Sequence, residues 1–221
     1  MIFISFLKWS KNYFQLIIPH YLYNAKPPTF STNVQKNDYI VWLDMEMSGL
    51  DINTSQILEI ACVITDKNLK TVSKDLNIVI HQSDEILNNM NDWCLATHQK
   101  TGLIHESRLS KITIQDAEQI LLKYLKTYVK EATCPLAGSS VYIDRMFLHK
   151  YMPLVNNYLH YRIIDTSTIK ELIKRWNINI TILKKDHNHR ALSDIKESIK
   201  ELQYYKNNIF NSYILQDNMK L

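Results

Sequence analysis

Apolar residues fall into two kinds of pattern once the chain passes Tyr39. The first kind is the unbroken run of strand length: "YIVWLDMEM", "QILEIACVIT" and "LNIVIHQ" follow one another, separated by polar turns at residues 48–55 and 66–75. The second kind is helical spacing. In "TIQDAEQILLKYLKTYV" the apolar positions Ile114, Ala117, Leu121, Tyr124, Leu125 and Tyr128 line one face, and Thr113 stands where a cap belongs. A short strand "CPLAGSS" then precedes a helical "YIDRMFLHKYM". The strand "YRIID" runs into the helix "TSTIKELIKRW", with a Ser or Thr cap at the junction. A last helix, "RALSDIKESIKELQYY", carries a stripe at Leu192, Ile195, Ile199 and Leu202. A three-strand meander followed by strand–helix alternation predicts an α/β domain, with a mixed five-stranded sheet flanked by helices.

The first run breaks its own pattern. Asp44 and Glu46 sit two apart in "YIVWLDMEM", so on a strand they point to the same face. A wet strand edge explains them if they are taken alone. Two further features bear on the choice. Asp144 follows the small-residue strand at a helix start, where the helix dipole alone would favour an acid. His189 stands five residues before Asp194 at the start of the last helix, where Asp194 by itself reads as solvated. Together the four acids fit one chemistry. Carboxylates gathered at strand ends and helix starts raise one another's pKa, a cost that divalent cations remove. Oxygen donors select Mg²⁺ or Mn²⁺ over zinc. Two such ions about 3.5–4 Å apart activate water and stabilise the leaving oxygen of a phosphoryl displacement. Imidazole titrates near neutrality, so His189 is suited to take the proton from that water. His187 is a nearby competitor for the role.

Composition narrows the reading. A chain of 221 residues suffices for one well-buried domain with appendages. Three widely spaced cysteines, Cys62, Cys94 and Cys134, form neither a disulfide framework nor a C-x-x-C zinc site, which implies a reducing compartment. With only three glycines, no glycine-rich phosphate loop can be built, and P-loop chemistry is excluded. The net charge of +4 resides entirely in residues 1–37, which hold Lys8, Lys11, Lys26 and Lys36 and no acid; the remainder is neutral. Nucleic-acid binding along a long strand draws on a basic surface, so any nucleic-acid substrate here is expected to be short. The segment 1–37 ends in the linker-like "KPPTFSTNVQKND" and reads as a mitochondrial transit peptide, although it lacks arginine; a cytoplasmic protein with a disordered tail is the alternative. No apolar run reaches the roughly 18 residues that span a bilayer, so no membrane partner is expected. The expected boundaries are an extension at 1–37, the catalytic domain at 38–213 and a tail at 214–221.

The set Asp44-x-Glu46, Asp144, His189 and Asp194 resembles the acid motif of the DEDDh 3′-to-5′ exonucleases, and within them the oligoribonucleases, also called small RNA exonucleases, most closely those of mitochondrial type. "WLDMEMSGLD", "ILEIACVITD", "MNDWC", "CPLAGSS", "KYMP", "HYRIIDTSTIKELIKRW" and "HRALSDIKESIKELQYY" are similar to that family's segments, in order, over about 39–210. The resemblance implies an RNase H-like fold and a 3′-to-5′ exoribonuclease that cleaves very short RNA, chiefly dinucleotides, to nucleoside 5′-monophosphates. It implies that Asp44, Glu46, Asp144 and Asp194 hold the two metals and that His189 is the base. Leu50 and Trp93 match the residues that hold the two bases. His98, Ser140, Tyr161, Arg162 and Ser167 match those that cap the 5′ phosphate, with Tyr161 and Arg162 completing the neighbouring site of a homodimer. The chain departs from the family at Ser139, where asparagine is usual, at Ser193, where an acid is usual, and in a short, proline-free loop at 177–188. Two rival readings are a DEDDh exonuclease for longer RNA or DNA ends and a catalytically silent RNA-binding module.

Overall fold

The computed structural model describes residues 38–183 and 188–210. The extension at 1–37, His187 and the tail lie outside them. Five strands form one sheet: β1 (Ile40–Met47), β2 (Ile57–Thr65), β3 (Leu76–Val79), β4 (Leu136–Gly138) and β5 (Ile163–Asp165), in the order β3-β2-β1-β4-β5. The meander β1–β2–β3 is antiparallel, while β4 and β5 run parallel to β1, so the expected mixed α/β sheet is the one that forms.

Both faces of the sheet are covered, which is why β2 is buried along its whole length. On one face Val41, Leu43 and Met45 of β1 join Ile60, Cys62 and Ile64 of β2. They pack against Ala117, Leu121 and Leu125 of α4 (Ile114–Tyr128), Phe147 and Leu148 of α5 (Tyr142–Tyr151) and Val155 of α6 (Pro153–Tyr158). On the other face Trp42, Ala61 and Val63 meet Ala191 and Ile195 of the last helix, α8 (Ala191–Tyr205). Strand alternation therefore decides where the acids go: Asp44 and Glu46 share parity with Trp42 and face α8.

Thr113 caps α4 with a full capping box, its hydroxyl accepting from the Asp116 amide while Asp116 accepts from the Thr113 amide. At the other expected cap the structure differs. The helix α7 (Thr166–Arg175) is capped by Asp165, which accepts from the Ser167 amide, and not by a serine or threonine. Three short helices, α1 (Asp84–Asn88), α2 (Asp92–Lys100) and α3 (Leu103–Leu109), fill the stretch between β3 and α4. They close over a small separate core of Leu58, Leu87, Met90, Cys94, Leu103 and Ile104. The helix expected over "YIDRMFLHKYM" forms as α5, and Pro153, which has no amide to continue it, starts the separate helix α6.

The sheet brings β1 and β4 together with little room between them. A Cβ on Gly138 would meet the Leu43 carbonyl oxygen at 2.8 Å and the Val141 side chain at 3.0 Å, so only glycine allows this approach. Because β4 leads directly into the turn before Asp144, the approach also sets how far that acid lies from β1. Gly138→Ala is expected to cost about 1–3 kcal/mol as an overpacking defect. Thermal unfolding followed by circular dichroism would show this as a Tm lowered by roughly 3–10 °C, and an unchanged Tm would show that β4 yields freely.

Candidate active site

Strand β1 delivers Asp44 and Glu46 to the α8 face, and the first turn of α8 delivers Asp194 toward them. Glu46, His189 and Asp194 each offer a ligand atom within 4.8 Å of the others. Asp144, on the first turn of α5, is 5 % exposed, and Glu46 is nearly as buried. Asp44 is half-buried one pleat earlier on the same face. The structure thus brings the four expected acids to one region, with His189 beside two of them.

Burial and like charge make this region costly without a counter-ion. Burial pushes the Glu46 carboxyl up to about 8, helped by Asp194, Glu59 and Asp144 and opposed by Arg190. Burial also pushes Asp144 up to about 8, against the nearby Met45 amide, with Asp165 adding repulsion. Crowded oxygen donors flanked by one imidazole are the donor set of a hard divalent cation, so the residues present fit such an ion. Asp44, Glu46, Asp144 and Asp194 are the side chains that would hold it.

His189 reaches the acids through an unusual backbone. Its φ is +50°, in the left-handed region that a β-carbon disfavours. The Trp93 ring lies edge-on to the His189 ring, with centroids 5.3 Å apart. Trp93 itself is 62 % exposed and Leu50 71 %, so both apolar side chains are presented to solvent. Leu50 lines a cleft of about 450 Å³ together with Ser48, Ser55, Ile86 and Asn91.

The expected phosphate-capping residues divide into three. Ser140 and Ser167 come together although they are far apart in the chain: Asp165 accepts from the Ser140 amide at 2.9 Å and from the Ser167 hydroxyl at 2.6 Å, and the two hydroxyls lie 3.3 Å apart. Ser140 also has a positive φ, +54°. Tyr161 and Arg162 are exposed and stack on each other, the guanidinium 5.5 Å from the ring centre. His98 stands apart from both groups. It is 1 % exposed, its Nε2–H donates to the Met47 carbonyl at 2.9 Å, and its Nδ1 has no hydrogen-bond partner among the described residues and lies 3.9 Å from Glu46. Burial holds the His98 imidazole below its ordinary pKa, so it faces Glu46 as a neutral ring. The sequence reading passed over Asp165, Glu59 and Arg190. The signal for Glu59 was present, since it is an acid inside the apolar run "QILEIACVIT".

Residues 41–202 match the RNase T family of exonucleases. A probable oligoribonuclease of Dictyostelium discoideum is 50 % identical over 83 % of this chain and 97 % of its own length. The chain belongs to the oligoribonuclease family. The mitochondrial oligoribonuclease of Homo sapiens is 48 % identical over 82 % of this chain and 78 % of its own, and the oligoribonuclease of Francisella tularensis subsp. novicida 44 % over 80 % and 99 %. Among solved structures, E. coli exonuclease I in complex with a dT13 oligonucleotide superposes with a TM-score of 0.62 at 13 % identity. That likeness concerns the fold, the RNase H-like DEDDh one, and covers 80 % of this chain and 43 % of the exonuclease I chain. As an oligoribonuclease-family member the protein is a nuclease, a hydrolase of phosphodiester bonds with a divalent-metal type of acidic centre. No helix among the described residues is long and apolar enough to cross a membrane.

The raised carboxyls set a pH dependence. From the ordinary 4.5 of Glu46 and 3.8 of Asp144 up to about 8, the folded metal-free protein binds more protons than the unfolded chain, so its stability falls as pH rises through that window. A divalent cation competes with those protons and binds better as they leave. In EDTA the Tm is expected to fall between about pH 5 and about pH 8, and Mg²⁺ or Mn²⁺ to raise it more at the higher pH. Glu46→Gln should shrink both effects in differential scanning calorimetry. A metal-induced rise that is equal at the two pH values would separate cation binding from these carboxyls.

Proposed function

We propose that the protein is a 3′-to-5′ exoribonuclease that degrades very short RNA, chiefly dinucleotides, to nucleoside 5′-monophosphates. The observation that carries this is the placement of Trp93 against His189, itself within ligand distance of Glu46 and Asp194. A stacking surface, a proton acceptor and metal donors thereby adjoin one scissile phosphate. The names of the relatives support the same substrate class.

Two divalent ions, Mg²⁺ or Mn²⁺, held by Asp44, Glu46, Asp144 and Asp194, would supply an activated water and charge for the leaving oxygen. His189 takes a proton from that water as the water oxygen attacks phosphorus, the bond from phosphorus to the preceding O3′ breaks, and the departing O3′ takes up a proton from solvent to become a hydroxyl. The released 3′ nucleotide keeps the phosphate on its 5′ carbon. Leu50 and Trp93 hold the two bases by contacts that tolerate any base, each stack being worth about 1–3 kcal/mol. Ser140 and Ser167 offer their hydroxyls to the substrate's 5′ phosphate, and Tyr161 and Arg162 close over the phosphate of the neighbouring subunit's substrate in a homodimer. His98 remains with Glu46 in this reading. Such a cap rewards two-nucleotide ligands and obstructs longer ones.

The test is hydrolysis of 5′-phosphorylated RNA of two, three, five and ten nucleotides with Mg²⁺ or Mn²⁺. Rates are expected to fall steeply beyond two nucleotides, to vanish in EDTA and to vanish in Asp194→Asn. Arg162→Ala should flatten the length preference, and mixing it with His189→Ala should restore some dinucleotide hydrolysis if the sites are shared across a dimer. Equal or rising rates with length would move the assignment to a general exonuclease, and no hydrolysis at any length to a binding module.

Mitochondrial import belongs to the same proposal. Its supports are the acid-free, lysine-bearing composition of residues 1–37 and the word mitochondrial in the names of the human, bovine and mouse relatives. Residues 1–37 fused to a fluorescent protein are expected to localise to mitochondria, and diffuse cytoplasmic fluorescence would overturn it.

A further inference from the structure

His189 holds a left-handed backbone at the edge of the site, and the residue that follows it is tied down by two carboxylates. Arg190 donates from Nε to both carboxylate oxygens of Glu59, at 3.2 and 3.1 Å, and from Nη2 to Glu59 at 2.8 Å. The other side of the guanidinium forks onto Glu106 of α3, at 3.0 Å from Nη1 and 2.7 Å from Nη2. Glu59 is fully buried in the middle of β2. It stands directly across the strand pair from Glu46. Its second task is at the helix end: the Ala191 amide, the first of α8, donates to Glu59 at 3.1 Å, where Arg190 itself supplies no side-chain cap. Asn77 of β3 donates to the same carboxylate at 2.9 Å.

One carboxylate on the strand opposite Glu46 thus fixes both the residue after His189 and the start of the helix that carries Asp194. We infer that Arg190 and Glu59 form a positioning clamp that holds the His189 loop and the first turn of α8 in register with Glu46. The inference rests on the proposed role of His189. Arg190 is not itself a catalytic residue; it acts through His189, whose left-handed backbone is kept in place from one residue away. Arginine is needed because two carboxylates are gripped at once by a planar fork, which the point charge of a lysine cannot reproduce.

The test compares wild type, Arg190→Lys, His189→Ala and the double variant on a 5′-phosphorylated dinucleotide. Arg190→Lys keeps a positive charge near buried Glu59, so the protein is expected to fold. It is expected to lower kcat about tenfold or more with KM changed less than about threefold. In the His189→Ala protein the same change should cost clearly less than in wild type, since the base is already gone and only the placement of Asp194 is left to disturb. In metal-free, histidine-labelled protein, the His189 ring signal, assigned by its loss in His189→Ala, should shift in Arg190→Lys. Wild-type kcat with an unmoved His189 signal overturns the clamp, and so does an equal loss in both backgrounds. If wild type hydrolyses no dinucleotide, or His189→Ala is fully active, the proposed reaction fails. The clamp is then judged by the ring signal alone: a shift supports it and no shift overturns it.

Discussion

Like-charged carboxylates held away from water repel one another, and Glu46 is where that repulsion converges, with Asp194, Glu59 and Asp144 all bearing on it. The surrounding structure can be understood as the means of keeping those groups together. A solvent-exposed loop would let the acids drift apart. A strand buried on both faces does not, because Trp42 beneath and Met45 behind are locked in two different cores. Relief comes by three routes: a proton on a carboxyl, the Arg190 fork on Glu59, or a cation shared among the acids. Only the last leaves the carboxylates ionised and clustered, which is the state a hydrolytic centre uses.

The same need for exact placement accounts for two of the five non-glycine positive-φ positions among the described residues, the others being Leu69, Ala132 and Asn177. Ser140 and His189 both have positive φ, and both lie at the points where a strand or loop gives way to a helix beside the acids. Each is held by a carboxylate from elsewhere in the sheet: Asp165 takes the Ser140 amide, and Glu59 takes the Arg190 side chain and the Ala191 amide. Disfavoured backbone survives where the neighbours over-determine it. The two acids that do so are not among those assigned to metal.

Much of this was legible in the chain because it is periodic. The strands follow from short apolar runs, the shared face of Asp44 and Glu46 from the period of two, and the helices around Thr113 and after Arg190 from the period of 3.6, all of which local sequence carries. The helices α1, α2 and α3 escaped because pieces of five, nine and seven residues have too few turns to show a stripe. Asp165 outcompeted the serine and threonine next to it as a cap, since its carboxylate is better aimed at the Ser167 amide. The placement of His98 depends on packing between α2 and the end of β1, which no local pattern encodes. The Glu59–Arg190 contact joins residues 131 apart in the chain, and only the register of β1 against β2 reveals why it matters.

The electrical neutrality of the chain beyond residue 37 has a consequence for life among other polyanions. Arg190, a cation beside the acids, is already matched by Glu59 and Glu106, leaving little of its positive field to reach outward. Long transcripts and ribosomes present vastly more phosphate than any pool of fragments, and a basic surface would be occupied by them. A protein without such a surface gives up electrostatic steering and the fast capture it brings. In exchange, on the proposed reading, it stays unoccupied in a crowd of long RNA, ready for ligands whose two ends both fit.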